Sequence, residues 1–173
     1  IGSSENDYAW DLEINNNKDL YIIGVTTGNI DNQNNNKDNN LFLSKYTSHG
    51  IKVWTKLLDI SLNKYSSWLL DDTNLEISAD GSIYIGGVTD TNLDGQKNNG
   101  GQDGFISKLD YDGVKQWTKL IGSSERDEVQ DFKIINNNLL YLVGFSEGNL
   151  NSQTNKGQSD VFIISMSEKT PNS

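Results

Sequence analysis

The feature that most constrains this chain is that it repeats itself. The stretch Tyr84–Leu120, moved back by 63 residues, lies without a gap on Tyr21–Leu57, and 19 of the 37 positions are identical. Gly24/Gly87, Asn29/Asn92, Asp31/Asp94, Gln33/Gln96, Phe42/Phe105, Gly50/Gly113 and Trp54/Trp117 are among the matches. Moved forward by 57, the stretch meets Gly144, Asn149, Gln153, Gly157, Asp160 and Phe162. Ile1–Tyr21 in turn matches Ile121–Tyr141 at 12 of 21 positions. A fixed period of this length predicts one supersecondary unit stacked on copies of itself. The repeats run over residues 1–57, 58–120 and 121–173.

Each copy reads as four short strands. The first covers Trp10–Ile14, Thr73–Ser78 and Val129–Ile135. It ends in Asn15-Asn16-Asn17, Ala79-Asp80-Gly81 or Asn136-Asn137-Asn138, residues that tolerate the positive φ of tight turns. The second covers Leu20–Thr26, Ile83–Thr89 and Leu139–Ser146. It is nearly all apolar, which predicts burial on both faces. Its recurring Gly24, Gly87 and Gly144 predict a bulge or a close backbone approach. The third covers Leu41–Tyr46, Gly104–Leu109 and Val161–Met166. The fourth, Ile51–Leu57 and Val114–Leu120, alternates as a half-exposed strand does. No helical period is present, so the fold class is all-β, built of antiparallel four-stranded meanders.

Composition sharpens this picture. Only 34% of the residues are hydrophobic, but they gather in the strand runs, and the 23 Asn fall mostly in turns. A formal charge of −10 argues against nucleic-acid and anionic-membrane partners. There is no Cys, hence no disulfide framework and no thiolate metal site. No apolar run approaches the ~18 residues of a membrane span. The first residue is Ile1, so the sequence reads as a processed chain or an excerpt of a longer one.

The motif series is Tyr-Ile-x-Gly, a long Asn/Gly loop, Gln-Asp-Gly-Phe-Ile-Ser-Lys, Asp-Gly, then Trp-Thr-Lys-Leu-Ile-Gly. It resembles the bacterial SBBP-type β-propeller repeat over nearly the whole chain. The resemblance implies about three propeller blades in a single partial propeller, the last blade lacking its Trp-Thr-Lys-Leu strand. It implies no activity. Further blades from a longer chain, or self-association, are then expected to complete the ring.

Residues that recur in each copy are expected to serve the repeat; residues that break it are the candidates for a site. Trp10, His49, Tyr65, Trp68, Asp71, Asp72 and Arg126 break it. Trp68, beside Asp71 and Asp72 in a six-residue insertion within Leu58–Thr73, heads a candidate ligand surface with Tyr65. An aromatic ring flanked by hydrogen-bonding groups suits a glycan or a protein. A plug for the insertion's own small core is the competing reading. The long loop offers Asn92, Asp94, Gln96 and Asp103 as oxygen ligands for Ca²⁺. The same loop equally reads as folded on itself through side-chain amides. Asp110-x-Asp112-Gly113 reads as a hairpin turn. His49, the only His, reads as a solvated turn residue. No Ser-His-Asp set, phosphate loop or HExxH run can be assembled.

These features predict a non-catalytic binding or adhesion module of a secreted or cell-surface protein, with a protein or carbohydrate ligand. The alternatives are a structural repeat unit, with or without Ca²⁺, and a hydrolase or lyase whose carboxylates meet only in space. No cofactor other than calcium is implied.

Overall fold

A computed structural model of the chain describes residues 1–36, 39–61, 73–136 and 138–167. Among them are eleven strands and no helix. β1 (Asp7–Ile14), β2 (Leu20–Thr26), β3 (Asn40–Tyr46) and β4 (Lys52–Ser61) form one antiparallel meander. β5 (Asn74–Ile77), β6 (Ile83–Thr89), β7 (Asp103–Leu109) and β8 (Lys115–Ile121) form the second. β9 (Asp127–Ile135), β10 (Leu139–Ser146) and β11 (Asp160–Ser167) form the third, in which β11 is the outer edge. No sheet closes on itself. The expected strands are all present: β2, β6 and β10 have the expected bounds, β5 is shorter by a residue at each end, and β1, β4, β9 and β11 run two or three residues longer.

Turn chemistry explains the hairpins. The Asn15 carboxamide oxygen accepts from the backbone N–H groups of Asn17 and Asp19, both at 2.9 Å. Asp110 Oδ1 accepts from Asp112 and Val114, and Gly113 follows at φ 73°. Thr47 Oγ1 takes the same place in the first copy, bonding the N–H groups of His49 and Ile51. Both readings of the recurring glycine hold at Gly24 and Gly144, whereas β6 pairs with β7 through Gly87 without a register shift. The register of β1 against β2 shifts between Ala9 and Asp11, and that of β9 against β10 shifts at Gly144. A Cβ on Gly24 would lie 2.2 Å from the Tyr8 carbonyl oxygen and 2.7 Å from the Phe42 ring.

The sheets stack face to face over two cores. Tyr21, Ile23, Leu41 and Leu43 of the first meet Leu75, Ile83, Ile85 and Phe105 of the second. Tyr84 and Ile106, on the other face of the second, meet Val129, Phe132, Leu140 and Leu142 of the third. The first strands of the three meanders are neighbours. Leu75 N–H donates to Asp11 Oδ2 at 2.8 Å, and Ile134 N–H donates to Glu76 Oε2 at 2.9 Å, where Lys133 pairs with Glu76.

Burial on both faces holds for β6, where every residue is buried. It fails for β10, which alternates. The reason is positional: the second sheet has a neighbour on each side, whereas no described residue covers the far face of the third.

Candidate functional site

The long loop is built the same way three times. The carboxamide oxygens of Asn29, Asn92 and Asn149 accept from the N–H groups of Asn35, Asn98 and Asn155 at 2.8–2.9 Å. The latter three side chains donate back to the carbonyls of Thr26, Thr89 and Ser146. At the tip, Asp31-Asn32, Asp94-Gly95 and Asn151-Ser152 all have positive φ, which makes a tight left-handed turn. Asp, Asn and Gly visit that region at little cost, so the exchange of Asp for Asn at 151 preserves the backbone. Ile30, Leu93 and Leu150 pin the loop to the core.

Three of the four proposed oxygen ligands, Asn92, Asp94 and Gln96, bond to other groups of the protein. Asn92 Oδ1 holds Asn98 N–H. Asp94 Oδ1 pairs with Lys115 Nζ at 2.5 Å, as Asp31 pairs with Lys52 at 2.7 Å. Burial pushes the Asp94 carboxyl up, but bonds from Lys115 and Thr118 outweigh it and hold the group below its usual value. Gln96 donates from Nε2 to the Thr118 carbonyl at 2.5 Å and accepts at Oε1 from Leu120 N–H at 3.2 Å. Gln33 does the same to Thr55 and Leu57. The glutamine amide stands where the peptide group of a fifth strand would stand.

Asp103 lies apart from these three. It is fully buried, and its Oδ2 accepts from Asn99 N–H at 3.0 Å. Its electrostatic neighbour is Asp127, also fully buried, whose Oδ2 accepts from both the N–H and the hydroxyl of Ser123. Oδ1 of each carboxylate has no hydrogen-bond partner among the described residues. Burial first, and the Asp127 charge second, push the Asp103 carboxyl above its usual value. Asp127 escaped the sequence reading because it matches Asp7 in the repeat, and the pairing with Asp103 exists only across the seam between sheets. Among the described residues no three His, Cys, Asp or Glu side chains gather to hold a metal.

Tyr65, Trp68, Asp71 and Asp72 lie outside the described residues. His49 is exposed in its turn, with Nδ1 3.3 Å from the Ser48 hydroxyl. Arg126 serves the fold: it bonds Gln102 and Glu128 and lies 4.9 Å from the centre of the Phe145 ring. Trp10 packs against the first core.

The third sheet presents a surface that the sequence reading did not single out. Tyr141, Val143, Val161 and Ile163 are 40%, 37%, 82% and 74% exposed. Their counterparts Tyr21, Ile23, Leu41 and Leu43 are wholly buried against the second sheet. Beside this face, a groove of ≈ 470 Å³ runs between β11 and the loop that carries Gln153. The signal was present in the sequence, since these positions are apolar in the first and third copies (Gly86 and Gly104 stand at two of them in the second), but only the stacking order shows which copy is left uncovered.

Neither a family model nor a curated protein matches the chain.

Proposed function

We propose that this chain is a non-catalytic β-propeller module of the SBBP-repeat kind, part of a secreted or surface-exposed bacterial protein, and that it works by binding. The observation that carries the reading is the order of the sheets. Their first strands β1, β5 and β9 lie side by side through the Asp11–Leu75 and Glu76–Ile134 bonds. The large residues Leu75 and Phe132, at equivalent positions, each enter the core between their own sheet and the preceding one. Radial repetition of four-stranded meanders around their first strands is the propeller arrangement. Leu12, their counterpart in β1, is 56% exposed, and the far face of the third sheet is open. Further sheets of the same repeat fit both ends. The long loops, rich in Asn and Gln, leave the same end of every sheet and form the rim on which a glycan or protein is met.

A glycan array probed with the chain tests this reading. Retention of a glycan class, with the glycan recovered intact, supports it. Release of shortened glycan would make the chain a carboxylate hydrolase instead. A second reading, a structural spacer repeat, is favoured by the loop polar groups being spent on one another. An array and a protein-binding screen that are both blank would select it.

A further inference from the structure

We infer that the outer edge of β11 is a strand-acceptor site for an extended peptide segment that reads like β4 and β8. The inference rests on the repeat geometry and not on the ligand assigned to the module above.

In the first two sheets the fourth strand is held by the same three devices. The first is the glutamine amide, Gln33 on Thr55 and Leu57, Gln96 on Thr118 and Leu120. The second is a tyrosine ring met edge-on by the strand's tryptophan. Trp54 meets Tyr21 at 6.1 Å between centroids, and Trp117 meets Tyr84 at 6.2 Å. The third is backbone pairing to β3 or β7.

All three stand ready on the third sheet with no fourth strand among the described residues. Gln153 closes the same turn as its counterparts, its N–H donating to Leu150 at 2.8 Å, as Gln96 does to Leu93. Its side chain, however, is exposed and carries no hydrogen bond among the described residues. No tryptophan meets Tyr141 among the described residues. The groove between Gln153 and Val161, Phe162 and Ile163 is where the strand would lie. Main-chain pairing to an exposed sheet edge supplies affinity and the pockets for alternate side chains supply specificity. Because the turn that carries Gln153 is formed in advance, little ordering is left for the arriving strand to bring about.

The third sheet also differs in ways that set the preferred sequence. Ser44 and Ser107 bond the threonine of their fourth strands, Oγ to Oγ1, at 2.8 and 2.7 Å. Ile164 stands at that position in β11, so an apolar residue fits there better than threonine. Asn151 replaces Asp31 and Asp94, so the lysine that pairs with them gains no charge partner. The occupant is thus an extended segment with an aromatic residue, then a β-branched apolar residue, then a free backbone N–H two positions on. The six residues after Ser167 read Glu-Lys-Thr-Pro-Asn-Ser and do not carry that pattern.

The test is fluorescence anisotropy of a labelled nonapeptide with the sequence of residues 114–122, titrated with the whole chain. Saturable binding with Kd below about 100 μM is expected. The same peptide carrying Thr118→Val binds more tightly, and a scrambled peptide does not saturate. Gln153→Ala in the chain weakens binding about tenfold, the loss of one hydrogen-bonding group. Its circular dichroism is unchanged, since the exposed side chain makes no hydrogen bond among the described residues. Leu120→Pro in the peptide, which leaves the protein unaltered, weakens binding equally by removing the N–H that meets the glutamine oxygen. No saturation by about 1 mM, equal binding of the scrambled peptide, or indifference to both Gln153→Ala and Leu120→Pro would overturn the proposal. So would a chain that self-associates through this edge and excludes the peptide, which would assign the edge to a second copy.

Discussion

Asp103 and Asp127 are two fully buried carboxylates on opposite sides of the seam between the second and third sheets, and each has an Oδ1 with no hydrogen-bond partner among the described residues. Burial of a charge without compensation is unfavourable, and a like charge nearby adds to it. Asn40 stands at the equivalent position in the first sheet and carries no charge.

Asp103→Asn is therefore expected to raise the melting temperature at pH 7 by a few degrees. The raised carboxyl value means that the native state holds this proton more tightly than the unfolded chain does. Its stability contribution is complete below the ordinary carboxyl value and is lost as pH rises through the raised one. The gain from Asp103→Asn should thus vanish in acid. A lower melting temperature at pH 7 would show that the native pair is compensated by a bound cation.

The opposite sign applies at the loop tips. Asp31 is held low chiefly by Lys52, and Asp94 by Lys115 and Thr118 against the effect of burial. Their contribution is present above the ordinary carboxyl value and fades as pH falls through the lowered one. Exposed pairs of this kind contribute little, so Asp94→Asn should cost less than about 1 kcal/mol. Asn98→Ala should cost about 1–3 kcal/mol, because it removes the amide bonds to the Thr89 carbonyl and from the Gly100 N–H. With these oxygens already engaged, 1 mM Ca²⁺ should shift the melting temperature by less than ~2 °C. A larger rise that EDTA reverses and Asp94→Asn abolishes would restore the loop as a metal site.

Gln96→Ala and Gln153→Ala form a matched pair. The first frees a carbonyl and an N–H on β8 and should cost about 1–2 kcal/mol in urea unfolding. The second should cost nothing measurable. Equal costs would mean that the glutamine stabilises its own loop and does not cap the fourth strand.

Trp117→Ala should cost about 2–4 kcal/mol, less than a fully enclosed ring would, because Trp117 is only half-buried against Tyr84. A loss under about 1 kcal/mol would mean that the edge-on contact carries no weight.

The strands were legible because the chain states its pattern several times over and marks each hairpin with Asn, Asp or Gly. The structural role of the loop amides at 29/92/149 was legible for the same reason: amides kept where a carboxylate is lost point to shape over charge. Three things were not legible. The Asp103–Asp127 juxtaposition joins residues from different copies, and sequence periodicity compares positions only with their own counterparts. The exposure of Tyr141 and Ile163 follows from stacking order, which an alignment of identical units does not contain. The partners of Gln33 and Gln96 lie 22 and 24 residues downstream in each copy, beyond any local turn rule.

The complete burial of β6 has a consequence in time. An amide there exchanges with solvent only when both neighbouring sheets have let go, so its protection reports the opening of the whole stack. Amides of β11 need only the last sheet to fray. The chain should thus exchange its hydrogens in a gradient outward from its middle repeat, slowest at Tyr84–Val88 and fastest along Val161–Ser167. A strand seated on the β11 edge would flatten that gradient at one end alone.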